Sequence, residues 1–167
     1  MLPGQNANGT IDDLEQAAVD LSAFVRALRQ VDTTGAHRRH PHGRGGPLAQ
    51  HDGHVRRSIA QLGDRIDGDA TLRAWEKALD APLWDGPEVW VHGDLLAGNL
   101  LVVDGRRSAV TDFGGLNVGD PATDLQPAWN LFVGASRRRF RAELQVDDAS
   151  WHYSAPQERT GWTTFLT

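Results

Sequence analysis

The 167-residue chain contains no cysteine, which excludes disulfide staples and thiolate metal sites and fits a reducing compartment. No stretch approaches the roughly 18 apolar residues of a membrane span. The opening MLPGQNANGT lacks the charged-then-apolar order of a secretory signal. A soluble, cytoplasmic protein is the expectation. The formal charge of −5 supplies no global basic field, so nucleic acid is not the expected partner. Lysine is nearly missing: Lys77 is the only one, and any lysine-dependent chemistry has a single candidate. No internal repeat is visible. What remains is ordinary, 40% hydrophobic and 23% charged residues, in a length suited to one domain with a real core.

Periodicity predicts the elements. Thr10 is placed to cap a helix whose apolar stripe is Leu14, Ala17, Ala18, Leu21, Phe24, Val25 and Leu28, ending near Val31. The segment TTGAHRRHPHGRGGP, 33–47, has no period and reads as a loop. Val55, Ile59 and Leu62 mark a second helix. A third spans about Ala70 to Asp80, burying Leu72, Trp75 and Leu79 and stopping at Pro82. Then the period changes. Val89 and Val91 share one face of a short strand over 88–92. The runs Leu100–Val103 and Ser108–Thr111 flank Asp104-Gly105, a favoured tight-turn pair, and predict a hairpin. Asp120 followed by Pro121 starts another helix, with Pro127 a defect inside it. ASRRRFRAEL predicts an exposed helix with Phe140 and Leu144 inward, and the tail from His152 shows no pattern.

The chemistry sits in VWVHGDLLAGNLLVVDGRRSAVTDFGG, residues 89–115. Phosphoryl transfer needs a carboxylate to accept a hydroxyl proton and oxygen ligands to hold the magnesium that screens nucleotide phosphates. Protein kinases meet this with a catalytic-loop Asp, an Asn five residues on, and an Asp-Phe-Gly whose Asp holds metal. Here Asp94 stands at the base position, Asn99 at the same spacing, and Asp112 opens the Asp-Phe-Gly. The hairpin between them brings Asn99 and Asp112 side by side, an oxygen pair suited to a hard cation.

With HGDLLAGN, TDFG and GDPATD in order, the sequence resembles the aminoglycoside phosphotransferase family, which has a protein-kinase-like fold. The resemblance covers about residues 1–150 and leaves 151–167 as a tail of unclear structure. It implies a mainly α domain with a small β-hairpin and one extra strand, like a kinase C-terminal lobe. Asp94 would be the base, Asn99 and Asp112 the ligands of Mg2+, and His92 a loop-ordering residue. Asp120 and Asp124 would mainly fix the helix beyond the site. ATP or GTP would be the co-substrate and a small-molecule hydroxyl the acceptor. Intact enzymes of this kind also carry an N-terminal β lobe with a glycine-rich loop and a strand lysine. Neither is found in this sequence, because GRGGP has the wrong spacing and Lys77 falls on a helix just before the catalytic loop. The expectation is therefore a C-terminal lobe without its β lobe, truncated and weak or inactive alone, with apolar surface left for a separate lobe or for self-association.

Other features keep other function classes open. His37, His40, His42, His51 and His54 form a cluster that zinc or nickel could use, although adjacent structural zinc ligands usually include cysteine. Arg137, Arg138, Arg139 and Arg141 surround Phe140, as the wet face of a helix or a patch for an acidic partner. The six tryptophans, among them Trp75, Trp90 and Trp129, read as core. A phosphotransferase, a non-catalytic ligand-binding lobe and a His-loop metal protein all remain on the sequence alone.

Overall fold

The computed structural model describes residues 4–36 and 46–154. His37, His40, His42 and the tail beyond Ser154 lie outside them. The first long helix, α1, spans Leu14–Arg29. Its cap is Asp13, whose carboxylate accepts the amides of Glu15 and Gln16 at 3.0 and 2.9 Å. Thr10, the expected cap, instead donates its hydroxyl to the Asn6 carbonyl at 2.6 Å, closing the turn between strand β1 (Gln5–Asn6) and the helix.

Helix α1 buries Ala17, Ala18, Leu21 and Val25. Its main partner is α5, Gly134–Leu144, which buries Phe140 and Leu144. The helix turns Phe140 and Leu144 inward, as expected, and leaves Arg138 and Arg139 exposed. Leu95, Leu100, Leu125 and Phe132 complete the core, each buried large side chain contributing about 1.5–3 kcal/mol.

Helices α2 (Asp52–Leu62) and α3 (Gly68–Leu79) pack on each other, close to their predicted spans. The Trp75 indole is buried and donates to Asp52 at 2.7 Å, and Arg56 joins Asp52 at 2.8 Å to Glu76 at 3.3 Å. Leu72 and Leu79 are only half-buried, and Lys77 is exposed. Of the other tryptophans read as core, Trp90 and Trp129 are half-buried, and Trp84 is exposed with its indole donating to the Pro87 carbonyl at 3.0 Å.

Two small antiparallel sheets lie beside the helices. Strand β2 (Val89–Val91) pairs with β5 (Asn117–Gly119). Strands β3 (Leu100–Val103) and β4 (Arg106–Val110) form the predicted hairpin, turning on Asp104 and Gly105 with φ of 49° and 70°. Positive φ at both central residues is the geometry that matches strand twist in a two-residue loop. Strand β1 adds to the other edge of β3, Gln5 opposite Val102 and Asn6 opposite Leu101. The next residue, Ala7, donates its amide to both the Ala97 and Leu100 carbonyls at 3.1 Å.

Beyond the sheets, Asp120 caps a 3-10 turn, Pro121–Leu125, by accepting the Ala122 amide at 2.7 Å. Pro127 breaks the predicted helix and opens α4, Pro127–Asn130. The last described helix, α6 (Asp148–Ser154), runs through a segment without sequence period. It is held by ring contact: Trp151 lies 4.9 Å from Trp129, with the guanidiniums of Arg141 and Arg137 stacked over the two rings at 5.0 and 4.9 Å. Arg139 pairs with Glu143 at 2.8 Å and Arg141 with Asp148. Two members of the four-arginine stretch, Arg137 and Arg141, are thus stacked within the fold, while Arg138 and Arg139 stay on the exposed face of the helix. Val31, Leu83, Trp84, Phe113 and Val133 are exposed large apolar residues. Among the described residues, no helix is long and apolar enough to cross a membrane.

Candidate active site

Strand β2 delivers the chain to His92-Gly93-Asp94, and the backbone there is fixed from three sides. Asp124, fully buried on the 3-10 turn, accepts the His92 and Gly93 amides, one per carboxylate oxygen, both at 2.9 Å. The buried His92 ring donates from Nε2 to the Thr111 carbonyl at 3.1 Å, and its Nδ1 accepts the Asp94 amide at 3.3 Å. These two bonds assign the proton to Nε2. His92 thus ties the loop carrying Asp94 to the end of the strand preceding Asp112, a loop-ordering geometry.

Asp94 and Asn99 meet directly. The Asn99 side-chain nitrogen donates to the Asp94 carboxylate and to the Asp94 carbonyl, each at 2.9 Å. A 3-10 turn, Ala97–Asn99, then leads into β3. Across the hairpin mouth, the Thr111 amide and hydroxyl donate to the Asn99 carbonyl at 2.9 and 3.2 Å. Asp112 follows Thr111 in the left-handed region (φ 58°, ψ 65°), where its carboxylate accepts the Gly114 amide at 3.2 Å. The three sequence-predicted residues are therefore brought to one place, Asp94 and Asn99 in contact and Asp112 one residue beyond the bond to Asn99.

The Asp-Phe-Gly turn lies flat on the catalytic loop. A Cβ at Gly115 would stand 2.9 Å from the His92 carbonyl oxygen and 3.6 Å from the Asp94 Cβ, so only glycine permits this approach. The Phe113 ring packs edge-to-face on His92, centroids 4.8 Å apart, and Phe24 of α1 meets both rings at 6.3–6.4 Å.

A buried charge cluster underlies this floor. Burial pushes the Asp124 carboxyl above its ordinary range, against the Gly93 and His92 amides and the Arg29 guanidinium. Burial likewise raises Asp120, opposed by the Ala122 amide and Arg29. Arg29 is pulled below its ordinary value by burial, against attraction to Asp124 and Asp120, and donates to the Pro121 carbonyl at 2.8 Å. The role expected for Asp124, fixing the helix beyond, is corrected: it fixes the backbone of the loop carrying Asp94, while Asp120 does cap its own turn. No local pattern reveals a bond across 31 residues, and only the Gly-Asp-Pro order singles the segment out.

The donor set suits a magnesium ion. With its nitrogen on Asp94, Asn99 is left with its carbonyl oxygen as acceptor. Asp112 is an exposed carboxylate with one oxygen on Gly114. One carboxylate and one amide oxygen match the sparse protein ligation usual for Mg2+ beside phosphates. Among the described residues, no cluster of three His, Cys, Asp or Glu could hold a metal, and the described histidines His51 and His54 make no such site.

The sequence profile of the phosphotransferase enzyme family matches residues 1–159. No curated protein matches the sequence. Among solved structures, a macrolide 2'-phosphotransferase from Brachybacterium faecium, without ligand, is 25% identical with a TM-score of 0.61, over 92% of this chain and 57% of its own. An aminoglycoside 2''-phosphotransferase solved with GDP and kanamycin is 17% identical with a TM-score of 0.68, over 92% and 57%. Another, complexed with gentamicin, is 19% identical with a TM-score of 0.63, over 92% and 56%. The chain thus spans little more than half the length of the structures it matches, and the shared part is the helical C-terminal lobe of a protein-kinase-like fold. Profile and architecture agree: the chain belongs to the phosphotransferase enzyme family.

Proposed function

We propose that this lobe serves transfer of the γ-phosphate of ATP or GTP to a hydroxyl of a small molecule, with Asp94 as the base. The observation that carries the reading is the contact between Asp94 and Asn99 beside Asp112. The Asn99 amide holds one Asp94 oxygen and thereby orients the carboxylate to accept a hydroxyl proton from the acceptor. The Asn99 carbonyl oxygen and the Asp112 carboxylate would hold Mg2+, which when bound screens the phosphate charge. Asp124 and His92 keep the loop in register, so positioning is built before substrate arrives.

Two similar structures support a nucleotide co-substrate and antibiotic-type acceptors: the GDP and kanamycin complex, and an aminoglycoside phosphotransferase solved with ADP. The described residues supply the base and the metal oxygens. A lysine on the phosphates and a covering glycine-rich loop are not among them, since Lys77 is exposed on α3. The 167-residue chain alone therefore binds Mg-nucleotide weakly and transfers phosphate poorly, and a separate β lobe would contribute the clamp. Titrating ATP with Mg2+ and following transfer to kanamycin tests this. Asp94→Asn abolishes whatever transfer is measured while leaving the melting temperature near that of the parent chain. Transfer that survives in Asp94→Asn removes Asp94 as the base, and micromolar nucleotide affinity for this chain removes the need for the clamp.

A further inference from the structure

Phe24, on the apolar stripe of α1, is only partly buried against the core, and its ring reaches the site. It meets His92 at 6.4 Å and Phe113 at 6.3 Å, both at 68°, while His92 and Phe113 pack at 4.8 Å and 63°. His92 is a rigid platform, fully buried and bonded through both ring nitrogens and its backbone amide. Phe113 is different: it is 43% exposed, and its ring partners are His92 and Phe24. Directly before it, Asp112 occupies the left-handed region, which costs a non-glycine residue energy even where Asp tolerates it. A short 3-10 turn over Phe113–Gly115, closed by the Leu116 amide on the Phe113 carbonyl at 3.1 Å, must hold that conformation.

We infer that Phe24 is a positioning residue for Asp112, acting through Phe113: helix α1 reaches across to seat the Phe113 ring on His92 and so holds the Asp112 turn. Edge-to-face contact is the geometry in which aromatic pairs gain beyond simple burial, and Phe24 supplies one such edge to each partner. The helix that organises the core through Ala17, Ala18, Leu21 and Val25 thereby also sets the position of a proposed metal oxygen. The metal arm of this inference rests on the function proposed above; the conformational arm does not.

Phe24→Leu keeps apolar volume and removes the ring, and Phe24→Tyr keeps the ring. Leu21→Ala, in the buried core and outside the ring contacts of the site, is the control for general destabilisation. Amide exchange at Gly114 and Leu116, followed by NMR, is expected to rise about fivefold in Phe24→Leu, the shift of losing the edge-to-face contact with Phe113. It stays at the parent rate in Phe24→Tyr and Leu21→Ala, although Leu21→Ala melts at lower temperature. Mn2+ affinity, read by electron paramagnetic resonance, falls by a similar factor in Phe24→Leu alone. Unchanged exchange at both amides in Phe24→Leu, or an equal rise in Leu21→Ala, overturns the inference. Absence of Mn2+ binding by the parent chain overturns the metal-ligand assignment instead, and the exchange comparison still decides Phe24.

Discussion

Replacing Asp124 by Asn exposes how the loop carrying Asp94 is held. The native carboxylate receives one amide on each oxygen, from His92 and Gly93, both at 2.9 Å and away from solvent. Asn can accept from only one of them. Its NH2 then faces the second amide donor to donor, which removes a charge-assisted bond worth about 1.5–3 kcal/mol and leaves a buried N–H without an acceptor, about 1–3 kcal/mol more. Part of this is returned, because the burial that raises the Asp124 carboxyl no longer acts on a neutral side chain. A net loss of about 2–4 kcal/mol is expected. In a chain of this size that lowers Tm by roughly 5–15 °C. The effect is local as well as global: exchange at the His92 and Gly93 amides accelerates relative to the core of α1. The pH dependence carries a definite sign. The folded carboxyl lies above its ordinary value of 3.8, so the folded state holds the proton more tightly than the unfolded chain. Its contribution to stability is complete below 3.8 and is lost as pH rises through the raised folded value. Asp124→Asn lacks that decline. Differential scanning calorimetry over a pH series, with exchange measured at neutral pH, is the assay. A variant melting within about 2 °C of the parent, with both amides still protected, would refute the account of how the loop is anchored.

Gly115→Ala puts a methyl 2.9 Å from the His92 carbonyl oxygen and must push the Asp-Phe-Gly turn off the catalytic loop, at about 1–3 kcal/mol; calorimetry checks the loss, and a crystal structure of the variant checks the displacement. Ala7→Pro removes the amide shared by Ala97 and Leu100, and is expected to cost about 1 kcal/mol and to speed exchange at the Asn99 amide. The Trp75 indole, with Arg56 adding, holds the Asp52 carboxyl below its ordinary value of 3.8, so its support of the α2–α3 pair is present above 3.8 and is lost as pH falls through the lower folded value. Tryptophan fluorescence should report loosening there on acidification below 3.8 and not between pH 5 and 8, and circular dichroism should show a smaller acid step in Trp75→Phe than in the parent.

Local signals were readable where one short stretch determines its own geometry. Asp104-Gly105 specifies the hairpin because both residues tolerate positive φ, and the apolar stripe of α1 specifies a helix because its period coincides with a buried face. The cap moved from Thr10 to Asp13 because the Thr10 hydroxyl was drawn to Asn6, a competition decided by the turn from β1. Strands β1 and β5, of two and three residues, are too short to alternate and exist only through pairing with β3 and β2. All four arginines of α5 look solvated in sequence, but Trp129 and Trp151, supplied by other helices, stack with Arg137 and Arg141. At the site, motif spacing located Asp94, Asn99 and Asp112, while the bond from the catalytic-loop backbone to Asp124 and the reach of Phe24 depend on tertiary placement.

The Ala7 amide gives the entry of the polypeptide a mechanical meaning. Before the chain reaches its first helix it is stitched along the hairpin edge and bolted to both ends of the turn that carries Asn99. A displacement of Gln5–Asn6 would reach that turn through the Ala7 amide before it reached the helices. A lobe attached there would hold a short lever on the turn that carries Asn99, and its rocking would be transmitted through two carbonyls rather than through the bulk of the domain.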